Sequence, residues 1–293
     1  MIELLVQAYK PSQIFQFAKL RHKNKLQSVF AQQHQQNQWT YYLFIVSNSR
    51  AQDIQDYVDE HYTVAKVIVL VEAQENLLKG QHNCNGYYSS IIHHGKLCYS
   101  NEDTACYAVV RHPNLKKFLG RAISHWQNRL KMANGFLEAG EQALEANHEQ
   151  VCLFLLYQVS EQLCKGLIYV FMGYQEQMGN LKRLLHIAAC FSSLPLQHFM
   201  GTPDNEILLD IMCKSITLNN CKAEVLSANK SIYRFLELVE SFLKLADRLC
   251  VAEFAILQSD VELSRNVLAN DKPRDLRCSA QQIEIEEGAT TND

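Results

Sequence analysis

A strip of polar residues inside one long apolar segment has the spacing that a binding or catalytic site on a single helix face requires. The segment runs from Val151 to Gly173 and reads VCLFLLYQVSEQLCKGLIYVFMG. Its polar residues recur at i, i+3, i+4 and i+7, so a helix gathers them on one side. They are Gln158, Glu161, Gln162 and Lys165.

Two interpretations of this strip stay open. Buried polar side chains need hydrogen-bonding partners, and a facing helix of the same bundle can supply them. Alternatively, the strip lines a groove for a second subunit or a ligand, which Lys182 and Arg183 from the following helix would join. Glu161 and Lys165 form an i, i+4 pair in the favourable orientation, worth about 0.3 to 0.5 kcal/mol if exposed.

A second group of candidates is basic and lies near the start of the chain. Four fixed positive charges fall within seven residues, at Lys19, Arg21, Lys23 and Lys25. Lysine and arginine suit phosphate even without a metal ion, so these residues are anion- or nucleotide-binding candidates. The alternative is a solvated helix end or loop, where basic residues also complement the helix dipole.

The metal-ligating residue types do not form a recognisable site. Ten cysteines are scattered along the chain without a Cys-x-x-Cys pair, as expected of reduced thiols. The set closest to a metal cluster is His82, Cys84, His93 and His94, but adjacent histidines point in different directions. We therefore predict no metal and no cofactor.

The elements that must position these candidates divide the chain in two. Met1 to Lys25 has a helical pattern broken at Pro11, while Tyr41–Ser47 and Val64–Val71 are predicted buried strands. A short helix, Asp53–His61, separates these strands, with Ser49 as its expected N-cap, so we predict a right-handed βαβ unit. Lys96–Tyr99 is predicted to add an edge strand, which makes residues 1–110 a small α/β domain.

From Asn114 onward the pattern is helical. We predict helices over Leu115–Asn147, the apolar segment, Asn180–Phe191, a helix opened by Thr202 and Pro203, and Ser227 to about Leu257, with a break at Pro195–Gly201. Residues 114–258 are therefore predicted to be an antiparallel helical bundle. The fold class is α+β overall, and the polar tail, residues 272–293, is predicted to be disordered.

Composition limits the classes of function. The 293 residues are 47% hydrophobic and 20% charged, which is typical of globular chains, and the formal net charge of −3 gives no global attraction for nucleic acid. The chain start lacks the pattern of a secretory signal, and no uncharged apolar run reaches the ~18 residues that span a bilayer. These features predict a cytoplasmic protein without a membrane partner.

Two motifs carry a resemblance to a known family. Leu156-Tyr157-Gln158-Val159-Ser160-Glu161 is similar to Leu-His-Gln-x-x-Glu, and the stretch from Asn180 to Leu185, NLKRLL, is similar to a His-Asp-Leu-x-x-Leu-Leu helix start. With YYLFIVS upstream, the order resembles bacterial proteins that join a nucleotidyltransferase-like domain to a HEPN domain. The resemblance implies a dimerising bundle and a role in toxin–antitoxin or defence systems.

The same comparison argues against the family's catalysis. The two Mg²⁺-binding acids of active transferases align with Thr40 and Tyr42, and FAKLRHKNKL stands where the family has its Gly-Ser phosphate loop. No Arg-x(4 to 6)-His ribonuclease motif occurs; Arg121 and His125 are one residue too close. The histidine that opens the family's third helix corresponds to Gly179.

We therefore expect a non-catalytic protein that binds a nucleotide, RNA or protein partner and forms a homodimer through its bundle. One alternative is an enzyme with unorthodox residues, either a ribonuclease using Glu161 and Lys165 or a transferase using Glu72. The other is a structural subunit that assembles through its helices.

Overall fold

The computed structural model describes residues 1–25, 35–77, 86–101, 114–176, 179–217 and 231–270, with backbone only for 22–25, 35–38, 86 and 265–270. The described chain is a mixed α+β protein in which a small sheet precedes a helical region. The boundary between the two predicted domains at 111–113, the residues His82 and Cys84, the start of the last helix at Ser227 and the tail at 272–293 lie outside the described residues.

The sheet region begins with helix α1 (Ile2–Tyr9), followed by strands β1 (Gln13–Lys25) and β2 (Gln35–Val46). Helix α2 (Ala51–His61) leads to strand β3 (Lys66–Glu72), and helix α3 (Gly86–His94) leads to strand β4 (Lys96–Ser100). The strand order is β3-β2-β1-β4. Strand β1 is antiparallel to both of its neighbours, whereas β2 and β3 are parallel. The predicted strand–helix–strand unit and the edge strand are confirmed.

The helical interpretation of Met1 to Lys25 is wrong after Pro11. Helix α1 ends at Tyr9, its C-cap Lys10 adopts a left-handed conformation (φ 45°), and β1 follows. The spacing of the apolar residues in this segment fits the period of a helix, but it also fits the alternation of a strand. Pairing with β2 along almost its whole length decides the outcome. Ser49 is also not the N-cap of α2; Arg50 holds that position, and its guanidinium pairs with Asp53.

The helical region contains α4 (Leu115–Glu145), α5 (Glu149–Met172), α6 (Leu181–Ala188), α7 (Leu194–Met200), α8 (Pro203–Lys214), a 3-10 turn (Ser215–Thr217) and α9 (Ile232–Asn270). Thr202 caps α8 as predicted, by accepting from the Asn205 amide. The predicted break at Pro195–Gly201 is wrong, because Pro195 lies in the first turn of α7, where its missing N–H has no cost.

Helix α5 is the centre of the helical region, as its apolar sequence predicts. Leu156, Leu163 and Leu167 have no exposed surface. Its Gly166 lies against Trp126 near the start of α4, while Gly140 near the end of α4 lies beside Leu155, so the two helices are antiparallel. Helix α5 is also the one described helix that is long and apolar enough to span a membrane; 72% of its most apolar stretch is buried, as in the core helix of a soluble protein.

The two faces of the sheet have different neighbours. Alternate residues of β2, Leu43 and Ile45, pack with Leu5 of α1 and with Ile54 and Val58 of α2. The other face contributes to the core of the helical region through residues such as Phe15, Tyr42, Phe44, Ile68 and Leu70. The hydroxyl of Tyr42 donates to the carbonyl oxygen of His186 in α6 at 3.0 Å. The sheet thus lies between α1 and α2 on one side and the helical region on the other.

Candidate functional site

A cleft opens where β2 extends beyond the start of β3. The first pair between these strands is Thr40 with Lys66, so residues 35–39 of β2 and their partners in β1 continue as a two-stranded ribbon. The segment that precedes β3 and helices α6 and α7 form the opposite wall. The cleft has a volume of about 880 Å³, which lies within the usual range for ligand pockets.

The lining of the cleft combines cations with one aromatic ring. Arg21 and Trp39 come from the ribbon, Lys66 from the start of β3 and His186 from α6. The lining includes one carboxylate, Glu206, in the first turn of α8. The cationic groups therefore outnumber the anionic ones.

Lys66 and His186 are in direct contact across the wall of the cleft. The Lys66 ammonium lies against His186 Nε2, and since an ammonium only donates, this ring nitrogen accepts. Burial of the ammonium end lowers the pKa of Lys66; Lys182 adds to the lowering, and Asp59 opposes it. The protein therefore disfavours this charge, and an anion in the cleft would stabilise it.

Trp39 lies between two of the predicted basic residues. The ammonium nitrogen of Lys19 is 4.0 Å from the centroid of the Trp39 ring and 5.8 Å from that of Tyr41. The central guanidinium carbon of Arg21 is 5.5 Å from the Trp39 ring. Lys19 and Arg21 are both exposed, and Trp39 is half-buried.

The structure places the predicted basic cluster on a strand, not at a helix end or in a loop. Lys19, Arg21, Lys23 and Lys25 occupy alternate positions of β1. Lys19 pairs with Tyr41 and Arg21 with Trp39, while for the last two lysines the structure gives the backbone register alone, opposite Asn37 and Gln35. The cations are therefore interleaved with aromatic rings, which the one-dimensional charge run did not indicate.

The polar strip on α5 makes contacts within the chain. Glu161, only 7% exposed, accepts from the Lys165 ammonium, and a Cβ on Gly179 would lie 3.3 Å from its Oε1 atom. Gln162 turns to the other side and accepts from Arg129 of α4. Gln158 is half-buried. These contacts match the internal hydrogen-bonding interpretation of the strip.

The two cationic candidates from α6 also have partners, and they diverge. The half-exposed Lys182 forms an ion pair with Asp210 of α8. Arg183 is buried and donates to the Val69 carbonyl oxygen at 2.6 Å, to Gln55 Oε1 at 2.8 Å and to Glu176 Oε2 at 3.3 Å. Arg183 thus connects the helical region with the sheet and does not line the cleft.

Two histidine arrangements have geometries that argue against catalysis. His198 Nε2 lies 2.8 Å from the Leu238 carbonyl oxygen, so it carries the proton and cannot accept one from Ser241, 3.4 Å away. His125 accepts from Arg129 Nε at 3.4 Å and stacks on Tyr169, with ring centroids 4.0 Å apart. Burial and the Arg129 charge lower the pKa of His125 to about 4. It is therefore neutral near pH 7.

Glu72, the carboxylate of the transferase alternative, is occupied by neighbouring side chains. Its Oε2 accepts from the Tyr88 hydroxyl at 2.8 Å, and its Oε1 accepts from the Asn76 amide at 2.7 Å. Both oxygens serve to fix the end of β3. Across the part of the chain that the structure describes, no group of three His, Cys, Asp or Glu residues is arranged to hold a metal ion.

Sequence reasoning missed three residues of the cleft: Trp39, Lys66 and His186. Trp39 follows a Gln-rich stretch, and Lys66 stands within the apolar run VAKVIVLV. A tryptophan beside a polar segment and a lysine at the start of a buried strand were the available signals. His186 could not be linked to them, because it lies 120 residues from Lys66.

Comparisons with protein-family models, with curated proteins and with solved structures found no match.

Proposed function

We propose that this chain binds a nucleotide or RNA without turning it over, in the cleft between the β1–β2 ribbon and helices α6 and α7. The observation that carries the proposal is that Arg21, Lys66 and Trp39 all line one cavity of about 880 Å³. Cations for a phosphate and a ring for a base are the two elements of nucleotide recognition that do not require a metal ion.

The electrostatics of the cleft favour an anionic ligand. Lys66 is held near a second cation, Lys182, and against the Nε2 atom of His186. A phosphate would add a negative charge to the one that Asp59 provides near this group. Arg21 also lines the cleft, and a guanidinium can donate two parallel hydrogen bonds to one phosphate.

Two side chains on β2 argue against metal-dependent turnover. Thr40 and Tyr42 occupy the positions that the family resemblance assigns to metal-binding acids. Thr40 is buried and pairs with Lys66, and the Tyr42 hydroxyl donates to the His186 carbonyl oxygen. Neither group supplies the carboxylate oxygens that Mg²⁺ prefers.

The wider role follows the resemblance and remains part of the proposal. A degenerate nucleotidyltransferase-like region followed by a HEPN bundle would act as a cytoplasmic sensor or adaptor in a toxin–antitoxin or defence system, as a homodimer. Its protein partner would respond to the occupancy of the cleft. The molar mass in solution, measured by light scattering on the purified chain, tests the dimer separately from ligand binding.

The test is the thermal midpoint of the full chain against a panel of nucleotides and short RNAs, each with and without Mg²⁺. A ligand that binds only the folded state stabilises it by about 2.7 kcal/mol at one hundred times its dissociation constant. We expect a midpoint increase that does not need Mg²⁺ and that Arg21→Ala or Trp39→Ala removes. Lys131→Ala, which removes an exposed cation from the middle of α4, is the matched control and should keep the increase.

Two outcomes would contradict the proposal. If neither nucleotides nor RNA change the midpoint, the cleft does not bind them, and the protein-partner interpretation takes its place. RNA cleavage or nucleotide transfer that disappears in Glu161→Gln or Glu72→Gln would show that the chain is an enzyme.

A further inference from the structure

One face of the β1–β2 pair repeats one pattern where the ribbon joins the sheet. Lys19 faces Tyr41 across the strands, and Arg21 faces Trp39. Both pairs occupy the face that is covered by α1 and α2 further along the sheet, since Leu43 and Ile45 continue the same alternation of β2. Tyr41 packs against the cluster under that cover, and the ribbon, which starts with Arg21 and Trp39, extends beyond it.

The rings of Trp39 and Tyr41 are close and nearly parallel. The centroids of Trp39 and Tyr41 are 6.4 Å apart, and the ring planes differ by 26°. Residues two apart on a strand lie about 6.8 Å from each other, similar to the step between nucleotides of an extended single strand. Lys23 and Lys25 continue the alternate positions of β1 in the backbone register.

We infer that the ribbon selects a single-stranded nucleic acid, with successive bases on Trp39 and Tyr41 and its backbone along the cations of β1. This inference rests on the proposed function and names the ligand class of the same site. Trp39 and Arg21 belong both to the cleft and to the ribbon face, so one strand can place a nucleotide in the cleft and the next ones on the ribbon.

A stacked base can replace the weaker contact that the Lys19 ammonium makes with the Trp39 ring. Its ammonium lies over the Trp39 ring and within 5.8 Å of the Tyr41 centroid. An exposed cation–π contact changes an equilibrium constant by about 2- to 5-fold, whereas a base stacked on an aromatic side chain contributes about 5- to 150-fold. A base therefore displaces the ammonium, which then pairs with the adjacent phosphate.

A duplex does not fit this arrangement. Its bases are stacked on each other and present only their edges in the grooves, so the ring faces of Trp39 and Tyr41 would have no planar partner. A mononucleotide fills the cleft or one ring but leaves the second ring and Lys19 unused. Affinity should therefore rise from the mononucleotide to the single strand and fall again for the duplex.

The experiment measures fluorescence anisotropy with labelled oligouridine and oligothymidine of about 12 nucleotides, competed by uridine monophosphate and by a duplex of equal length. We expect a single strand to bind at least about 10-fold more tightly than the monophosphate. The two labelled strands distinguish RNA from DNA. Trp39→Ala should weaken strand binding by about 5- to 150-fold, while Trp39→Phe retains most of the affinity.

The salt dependence supplies a second readout that a structural role would not change. Lys19→Gln should reduce the slope of log affinity against log salt concentration by about 0.7, the value for one lost phosphate contact on a single strand. Lys131→Gln on α4 should leave the slope unchanged.

The inference is overturned if the monophosphate or the duplex binds as tightly as the strand, or if neither Trp39→Ala nor Lys19→Gln alters strand binding. Failure of the proposed function looks different: no ligand in the series binds at all.

Discussion

The guanidinium group of Arg183 donates to the carbonyl oxygen of Val69 across a distance of 2.6 Å, and this bond joins the helical region to the sheet. The same group reaches Gln55, whose side chain is fixed between the Val67 carbonyl oxygen and the Val69 amide. Glu176 supplies the opposing charge. The wall of the cleft formed by α6 is therefore tied to β3 by a buried polar network.

Replacing Arg183 by methionine should lower the free energy of unfolding by about 3 to 5 kcal/mol. The reason is that the buried carboxylate of Glu176, whose side chain is 2% exposed, would lose the guanidinium that pairs with it. Urea unfolding followed by circular dichroism measures the loss. The adjacent Lys182→Ala breaks a half-exposed ion pair and should cost at most about 1 kcal/mol. Equal losses for the two variants would show that the network does not stabilise the fold.

Gly166 is required by the packing of α5 on α4. A Cβ at this position would lie 2.7 Å from the Trp126 ring, which is buried and fixed through its Nε1 hydrogen bond to Asp247. Gly166→Ala should therefore destabilise the protein by about 1 to 3 kcal/mol, although alanine favours a helix.

Gly135 of α4 provides the matched control for that substitution. Nothing lies within 4 Å of a Cβ added there, so Gly135→Ala should stabilise by about 0.5 to 1 kcal/mol. Chemical unfolding of both variants gives the comparison. Two changes of the same sign would contradict the packing argument.

His125 should make stability fall with decreasing pH. Its pKa of about 4 in the folded protein is below the ordinary value of 6.5, because burial and Arg129 disfavour the imidazolium. The unfolded chain therefore takes up the proton first. The contribution of this group is fully present above about pH 6.5 and is lost as the pH falls towards 4. Because the ring is only half-buried, we expect a loss of about 1 to 2 kcal/mol, less than the full shift would give.

His125→Phe isolates this effect, because it keeps a ring to stack on Tyr169 and removes the titration. Unfolding free energies of both proteins are measured from pH 7.5 to pH 4. The difference between them should change in favour of the variant as the pH falls. A difference that stays constant over this range would show that His125 is not responsible.

Local sequence signals predicted the elements that depend on local chemistry. The apolar run from Val151 gave helix α5, which ends at Gly173 in the left-handed conformation (φ 70°) that glycine favours. Thr202 and Pro203 marked the start of α8. The segment after Pro11 was ambiguous, because Ile14, Phe15 and Phe17 fit either period, and only the distant partner strand β2 decides for a strand.

The cleft, and the contact of the helical region with the sheet, depend on residues that are far apart in the sequence. Arg183 lies 128 residues from Gln55 and 114 from Val69, so its sequence neighbourhood could indicate a polar helix residue but not a buried bridge. The charge and spacing of the basic residues of β1 predict an anion-binding role from the sequence alone. Their pairing with Trp39 and Tyr41 follows from the strand register, which a helical interpretation of the segment concealed.

Substitutions of Glu161 test whether the polar strip on α5 is structural or binds a ligand. Its carboxylate accepts from Lys165, and the two side chains are 10% and 18% exposed. Glu161→Gln keeps the shape but leaves the ammonium without its counter-charge, so we expect a loss of about 1 to 3 kcal/mol. The double variant Glu161→Gln with Lys165→Met should recover part of this loss, because no unpaired charge remains.

Neither residue lines the cleft, so the increase in thermal midpoint caused by nucleotide or RNA should persist in both variants. If a variant keeps its fold but loses that increase, the ligand binds at the helical region and not at the ribbon.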